Sequence, residues 1–429
     1  MSKTPLADAI QRYAKKDMHR FHMPGHKGKA AGVFPAAFTA LDVTEIEETD
    51  NLMEPKGCIL AAERLCASAF GAQRTFFTTG GSTCGVLAML HAVLRPGDKV
   101  LVDRSCHLSV YAALSLCGAV PVYVRGVWMA QIGAFAPPAT EEIASILEKE
   151  KDIRALVLTT PTPYGIAADT EAIAAICHAR GVLLLVDEAH GAHFAFAPHC
   201  PKTALAAGAD LCVQSLHKTL PALTGSAVLH VGNPALVHKA EAALRLFQST
   251  SPSYLLMASM DCARAAAEES AGLWEELYAA IEACRFPGLY RTDDPYRLTV
   301  SCQGEVSAPL LAAAGFVPEM TGTHTAVMIV TMADSPKTVQ RLLDFAKTWK
   351  PAVLPAPPPP QCPAVLTPAE VRCREAELVA ADEAVGRIVA RPVYCYPPGT
   401  AIVAPGEVFS REALLYPAFQ EERIWVVQA

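Results

Sequence analysis

The chain has 429 residues, 52% hydrophobic and 18% charged, a composition that buries a large core, excludes a disordered chain and, at this length, suits a large domain with a smaller companion. Its formal net charge of -7, with no block of lysines or arginines, offers no basic field to a phosphate backbone, so nucleic acid is not an expected partner. No apolar core of signal-peptide length opens the sequence and no stretch of about 18 uncharged apolar residues follows, which leads us to expect a soluble, cytoplasmic protein with no membrane partner.

In chain order, Thr4 and Pro5 read as the N-cap and first position of a short amphipathic helix, with Leu6, Ile10 and Tyr13 near one face. The segment RFHMPGHKGK that follows has neither helical nor strand periodicity and reads as a loop. From about residue 75, short apolar runs alternate with helix-length segments. The strand candidates are 99–103, 120–124, 155–160, 182–187, 210–215 and 226–231. Their hydrophobicity is continuous rather than alternating, which indicates strands covered on both faces and a mostly parallel α/β sheet. A helical stretch is expected around 254–284. PYRLTVSC and HTAVMIVTM then suggest a smaller α+β unit, and the tract PAVLPAPPPPQCP (351–363) reads as an extended connection. These features place a large domain at 1–285 and a small C-terminal domain at 286–429. The 14 cysteines are scattered without a C-x-x-C pair and read as reduced thiols, with no metal site expected.

In such sheets ligands bind beyond the carboxyl ends of the strands. Those ends carry Asp103 with His107, Thr160 with Pro161, Asp187 with His190, and Ser215 with His217 and Lys218. The stretch FFTTGGSTCG joins two glycines to Ser82 and Thr83 at the start of an apolar helix, a setting that can cradle a phosphate or simply cap the helix. Neither a G-x-x-x-x-G-K-[ST] loop nor a G-x-G-x-x-G turn is present, so ATP and NAD lose ground. A lysine able to form a Schiff base and an aspartate able to hold a pyridinium nitrogen together meet the requirement for pyridoxal phosphate. In that reading Lys218 carries the cofactor, Asp187 keeps its ring nitrogen protonated and His107 stacks on the ring. Ser82, Thr83 and Ser215 bind the phosphate, and His217 touches the site.

The segments FHMPGHKG, DVTE, FFTTGGSTCG, PGDKVLVDRSCH, PTPYG, VDEAHGAHF, GADLCVQSLHKTLPALTG, TSPSY, YPPGT and APGE run through most of the chain. In this order they resemble the pyridoxal-phosphate-dependent ornithine/lysine/arginine decarboxylases of aspartate-aminotransferase-like fold, in their short bacterial branch. The resemblance implies fold type I and decarboxylation of a basic L-amino acid in a polyamine-forming setting. It also implies Lys218 as the Schiff-base lysine, Asp187 as the pyridinium partner, His107 as the stacking residue and Ser82, Thr83 and Ser215 as phosphate ligands. His190 and His217 would line the site. Thr250 would reach the phosphate of a neighbouring subunit, in a homodimer or dimer of dimers whose active sites form between protomers.

Two departures from the family pattern fall near the presumed substrate entrance. The family often reads H-K-S and D-D-L-H, where this chain has His107-Leu108-Ser109 and Asp50-Asn51-Leu52-Met53. A cationic substrate needs an acidic partner in the pocket, and Glu319 and Asp50 are the two candidates. Arginine, lysine and ornithine stay open as substrates. Other reactions on the same scaffold (aminotransferase, aldolase or lyase) and a non-catalytic regulatory role are the alternatives, and amine product would separate them.

Overall fold

The computed structural model describes residues 2–301, 308–322, 325–349, 357–395, 399–417 and 419–428. Residues 351–356 of the proline tract, Cys302, His324 and Tyr396 to Pro398 lie outside the described residues; residues 357–363 carry no regular element.

Seven strands form the central sheet: β1 (Arg74–Thr78), β2 (Lys99–Asp103), β3 (Val120–Val124), β4 (Ile153–Thr159), β5 (Leu183–Asp187), β6 (Leu211–Ser215) and β7 (Ala227–Val231), in the order β1-β7-β6-β5-β4-β2-β3. Side chains alternate across a strand, and both faces here are apolar. Val102, Val157, Leu185 and Val213 pack on one face, and Leu101, Leu156, Leu184, Val186 and Cys212 on the other. Pairing is parallel from β3 through β6, as the continuous apolar runs predict. The exception is β7, antiparallel to both β6 and β1. Only residues 216–226 join β6 to β7, too few for a parallel crossover. β1 was not among the expected strands because its apolar residues run directly into the glycine turn.

The helices include α1 (Pro5–Ala14), α2 (Cys58–Phe70), α3 (Gly81–Val93), α4 (Leu108–Cys117), α5 (Tyr254–Glu268) and α6 (Ala271–Glu282). Leu6, Ile10 and Tyr13 of α1 are buried, as their spacing predicts. Thr4 occupies the N-cap position, but its hydroxyl goes to the Asp8 carboxylate at 3.3 Å rather than to a backbone N–H. The expected helix at 254–284 is two helices. Between them the Ser270 hydroxyl donates to the Ala267 carbonyl at 2.7 Å, a local bond that competes with continuing the helix.

Beyond them, β8 (Leu289–Tyr290), β9 (Arg297–Ser301), β10 (Met320–Thr321) and β11 (Thr325–Ile329) form an antiparallel sheet in the order β8-β9-β11-β10. α7 (Pro336–Ala346) packs with α6 over Tyr296, Leu298 and Val300. Two antiparallel pairs complete the C-terminal region: β12 (Ala376–Ala380) with β15 (Arg423–Val427), and between them in sequence β13 (Val393–Cys395) with β14 (Thr400–Val403). Among the described residues no helix is long and apolar enough to cross a membrane.

Candidate active site

The carboxyl ends of β2, β4, β5 and β6 border a cavity of about 340 Å³. Ser82, Thr83, His107, Asp187, His190, Ser215, His217 and Lys218 all line it, so eight of the nine expected site residues meet in one place. Thr250 does not; it is exposed in the connection before α5.

Each side chain is placed by a local cause. β6 ends at Ser215, and the helical turn Leu216–Thr219 swings Lys218 over the end of β5. The Lys218 ammonium or amine lies 3.0 Å from His190 Nε2. His217 is fixed by its Nδ1–H donating to the Ser226 carbonyl at 2.8 Å. Asp187 is buried, and one of its oxygens accepts the Ala189 N–H at 3.1 Å. His107 caps α4: its Nδ1 accepts the Ser109 N–H at 3.2 Å and lies 2.9 Å from the Ser109 hydroxyl. That leaves Nε2 as the protonated nitrogen of the neutral ring. α3 begins without a side-chain cap; the Gly81 N–H goes to the Gly225 carbonyl at 3.0 Å, and Ser82 and Thr83 follow in the first turn, where a helix offers N–H groups to an anion. Gly81 opens it at φ 70°, a left-handed conformation that favours glycine.

The charge states follow from burial. Burial lowers the affinity of Lys218 for its proton; Asp187 and Glu319 oppose this and Arg297 adds to it. His107 is lowered by burial and by Lys218, against Asp187. His190 is held well below the usual histidine range, first by burial and then by the Lys218 and Arg297 charges. The Ser215 hydroxyl is buried with no hydrogen-bond partner among the described residues. Such a group costs about 1–3 kcal/mol unless a ligand or water completes it.

The structure separates the two acidic candidates. Glu319 lines the cavity. Asp50 spends both oxygens on the backbone: Oδ1 accepts from Asn51 and Lys56 at 2.9 and 3.0 Å, and Oδ2 from Gly57 and Ile59 at 2.7 and 3.0 Å. It caps α2 and is not a recognition group. Asp50→Ala is therefore expected to destabilise the fold by about 2 kcal/mol, read as a lower urea midpoint, with substrate preference unchanged. Neither Leu108 nor Met53 lines the cavity; Leu108 packs on the core.

The sequence reading missed Thr400, which lines the cavity beside His107 through a backbone bridge. It also missed the pair that carries Thr400 there. Arg104 and Glu407 form a buried two-pronged ion pair at 2.9 and 2.8 Å, and Arg104 also donates to the Ala401 carbonyl at 2.9 Å. Both residues fall within segments quoted above, VDRSCH and APGE, but nothing local marks them as partners. A second cavity of about 280 Å³ shares no lining residue with the first, and its Arg285 and Arg291 are committed to Glu282.

This sheet order with a lysine at the end of β6 defines the class: the α/β architecture of fold type I pyridoxal-phosphate enzymes. Residues 4–293 match the Orn/Lys/Arg decarboxylase major domain and residues 353–423 that family's C-terminal domain. The arginine decarboxylase of Bacillus subtilis (strain 168) is 32% identical over 96% of this chain and 93% of its own. Among solved structures, the Francisella novicida lysine decarboxylase LdcF superposes with a TM-score of 0.83 at 19% identity, over 99% of this chain and 81% of that one. An SPT structure with PLP gives 0.58 at 16% identity, over 81% and 84%. The chain belongs to the Orn/Lys/Arg decarboxylase family and is a decarboxylase.

Proposed function

We propose that this chain decarboxylates a basic L-amino acid (arginine, lysine or ornithine) to the amine and CO2 with pyridoxal 5'-phosphate as cofactor. The observation that carries this reading is the meeting of Lys218, Asp187 and His107 with Ser82, Thr83 and the unpartnered Ser215 hydroxyl in one cavity. The donor set fits the cofactor: an amine for its aldehyde, a buried carboxylate for its ring nitrogen, and hydroxyls at a helix N-terminus for its phosphate. Bound there, the cofactor would supply an electron sink for the pair released when CO2 leaves the substrate's α-carbon.

The chain's own residues do the rest. Asp187 holds a proton at the ring nitrogen, and the neutral His107 packs against the ring without adding charge. Lys218 and His190, hydrogen-bonded to each other, are the pair able to deliver a proton to the α-carbon. Glu319 pairs with the cationic end of the substrate. In this reading the large and small domains divide at 285/286, the enzyme works as a homodimer, and the exposed Thr250 serves the neighbouring site.

Incubating the purified protein with pyridoxal phosphate and an equimolar mixture of the three amino acids should yield agmatine, cadaverine or putrescine by mass spectrometry. Keto acid in place of amine would reassign the reaction to an aminotransferase. Glu319→Gln should raise the KM for the preferred substrate about tenfold while changing kcat little, the loss expected for one charged hydrogen bond; an unchanged KM would remove Glu319 from recognition.

A further inference from the structure

Arg297 opens β9, is 2% exposed, and uses few of its donors. Nη2 donates to the His190 carbonyl at 3.3 Å. Nε and Nη1 have no hydrogen-bond partner among the described residues, and Nε stands 3.9 Å from Asp294 Oδ2. Asp294 is itself buried, with Oδ1 accepting from His193 Nε2 at 3.1 Å and from the Tyr296 N–H at 3.0 Å. The large-domain turn PTPYG closes around the same segment. Asp294 N–H donates to the Gly165 carbonyl at 2.9 Å. A Cβ on Gly165, which has φ 84°, would lie 2.7 Å from Arg297 Cβ and 2.6 Å from Thr292 Oγ1. Its left-handed backbone and the crowding by both Arg297 and Thr292 favour glycine at position 165.

A buried arginine kept only as a strut would spend its donors, because each unpaired N–H away from water is costly. Arg297 instead leaves two nitrogens unpaired and is only loosely neutralised, while the backbone around it is held on both sides. We propose that Arg297 is a positioning residue of the active site: its guanidinium, bonded to the His190 carbonyl, is a clamped positive charge behind the His190–Lys218 pair. This rests on the assignment of Lys218 as the cofactor lysine.

The charged and titratable groups that line the cavity with Lys218 are Asp187 from β5, His190 from the following loop, His107 from the start of α4, His217 beside the lysine and Glu319 before β10; Arg297 from β9 lines the neighbouring cavity and reaches this one through the His190 carbonyl. Burial is the main cause that lowers the Lys218 proton affinity; Asp187 and Glu319 oppose it, and Arg297 is the cation that offsets them. A neutral amine is the form that attacks a carbonyl. Removing the cation therefore leaves the two carboxylates unopposed, and the lysine holds its proton to higher pH.

The test is the rate at which the cofactor-free full chain develops the visible band of bound pyridoxal phosphate, followed against pH. Arg297→Met should move the midpoint up by about one pH unit and slow capture at pH 7 about tenfold. Arg297→Lys should keep the wild-type midpoint. Asp294→Asn, which removes the anion beside Arg297, should move it down. A midpoint for Arg297→Met equal to wild type, or a lysine variant that behaves like the methionine one, overturns the proposal. Should Arg297→Met not fold, an unmoved midpoint in Asp294→Asn overturns it. If the wild type developed no band, or Lys218→Ala developed the same one, the assignment of Lys218 would fail, an outcome distinct from a normal wild type with an unmoved arginine variant.

Discussion

Lys218→Ala is expected to lose about 10³-fold or more of the decarboxylase rate and all of the visible absorbance that pyridoxal phosphate gives when joined to the protein. The lysine is held over the end of β5 by the turn that follows Ser215, and its nearest polar contact is the neutral His190 at 3.0 Å. Among the described residues no other lysine lines the cavity, so none of them can substitute for it. Burial disfavours the charged form of this side chain, so removing it relieves a desolvated amine and breaks no ion pair among the described residues. Far-UV circular dichroism and the urea midpoint should therefore stay near wild type. A variant that still turned over at the normal rate would show that the reactive amine lies elsewhere.

Asp187→Asn should cost about 10²–10³-fold in rate and let the cofactor leave on dialysis. The amide oxygen can still accept the Ala189 N–H, which the carboxylate accepts at 3.1 Å, so the strand end keeps its shape while the charge is lost. The sign of the secondary effects is fixed as well. Asp187 opposes the lowering of both Lys218 and His107, so without it both groups should lose their protons at still lower pH. Measured rates and retained absorbance after dialysis check the first claim, and NMR titration of His107 checks the second. Wild-type turnover would mean that Asp187 only closes the strand.

The strand ends were legible in the sequence because two signals coincide there. A run such as LLLVD is apolar up to its last residue, which is what a strand covered on both faces requires, and the polar residue that ends it has to sit at the sheet's edge. Six strands and six site residues, His107, Asp187, His190, Ser215, His217 and Lys218, follow from that rule; Ser82 and Thr83 were marked instead by the two glycines that open an apolar helix. Asp50 and Glu319 could not be ranked because what distinguishes them is backbone: Asp50 is consumed by four N–H groups, which leave no mark in residue types. Arg297 was invisible for a different reason. Its partners His190 and Gly165 lie more than 100 positions earlier, and only the folded chain brings them together. The hydroxyl of Thr4 shows the same limit at short range, since a capping position does not decide between a backbone N–H and the carboxylate of Asp8.

The Arg104–Glu407 clamp also sets an order of events in the birth of the enzyme. Glu407 is made about 190 residues after Lys218, roughly 10–40 s later at about 5–20 residues per second. Until then the wall that Thr400 contributes beside His107 has no anchor, and Arg104 is a cation awaiting its counter-charge. The lysine and aspartate can therefore stand on a formed sheet well before the site is enclosed, and a ribosome stalled shortly before Glu407 would leave a chain with its reactive amine in place and its wall unbuilt.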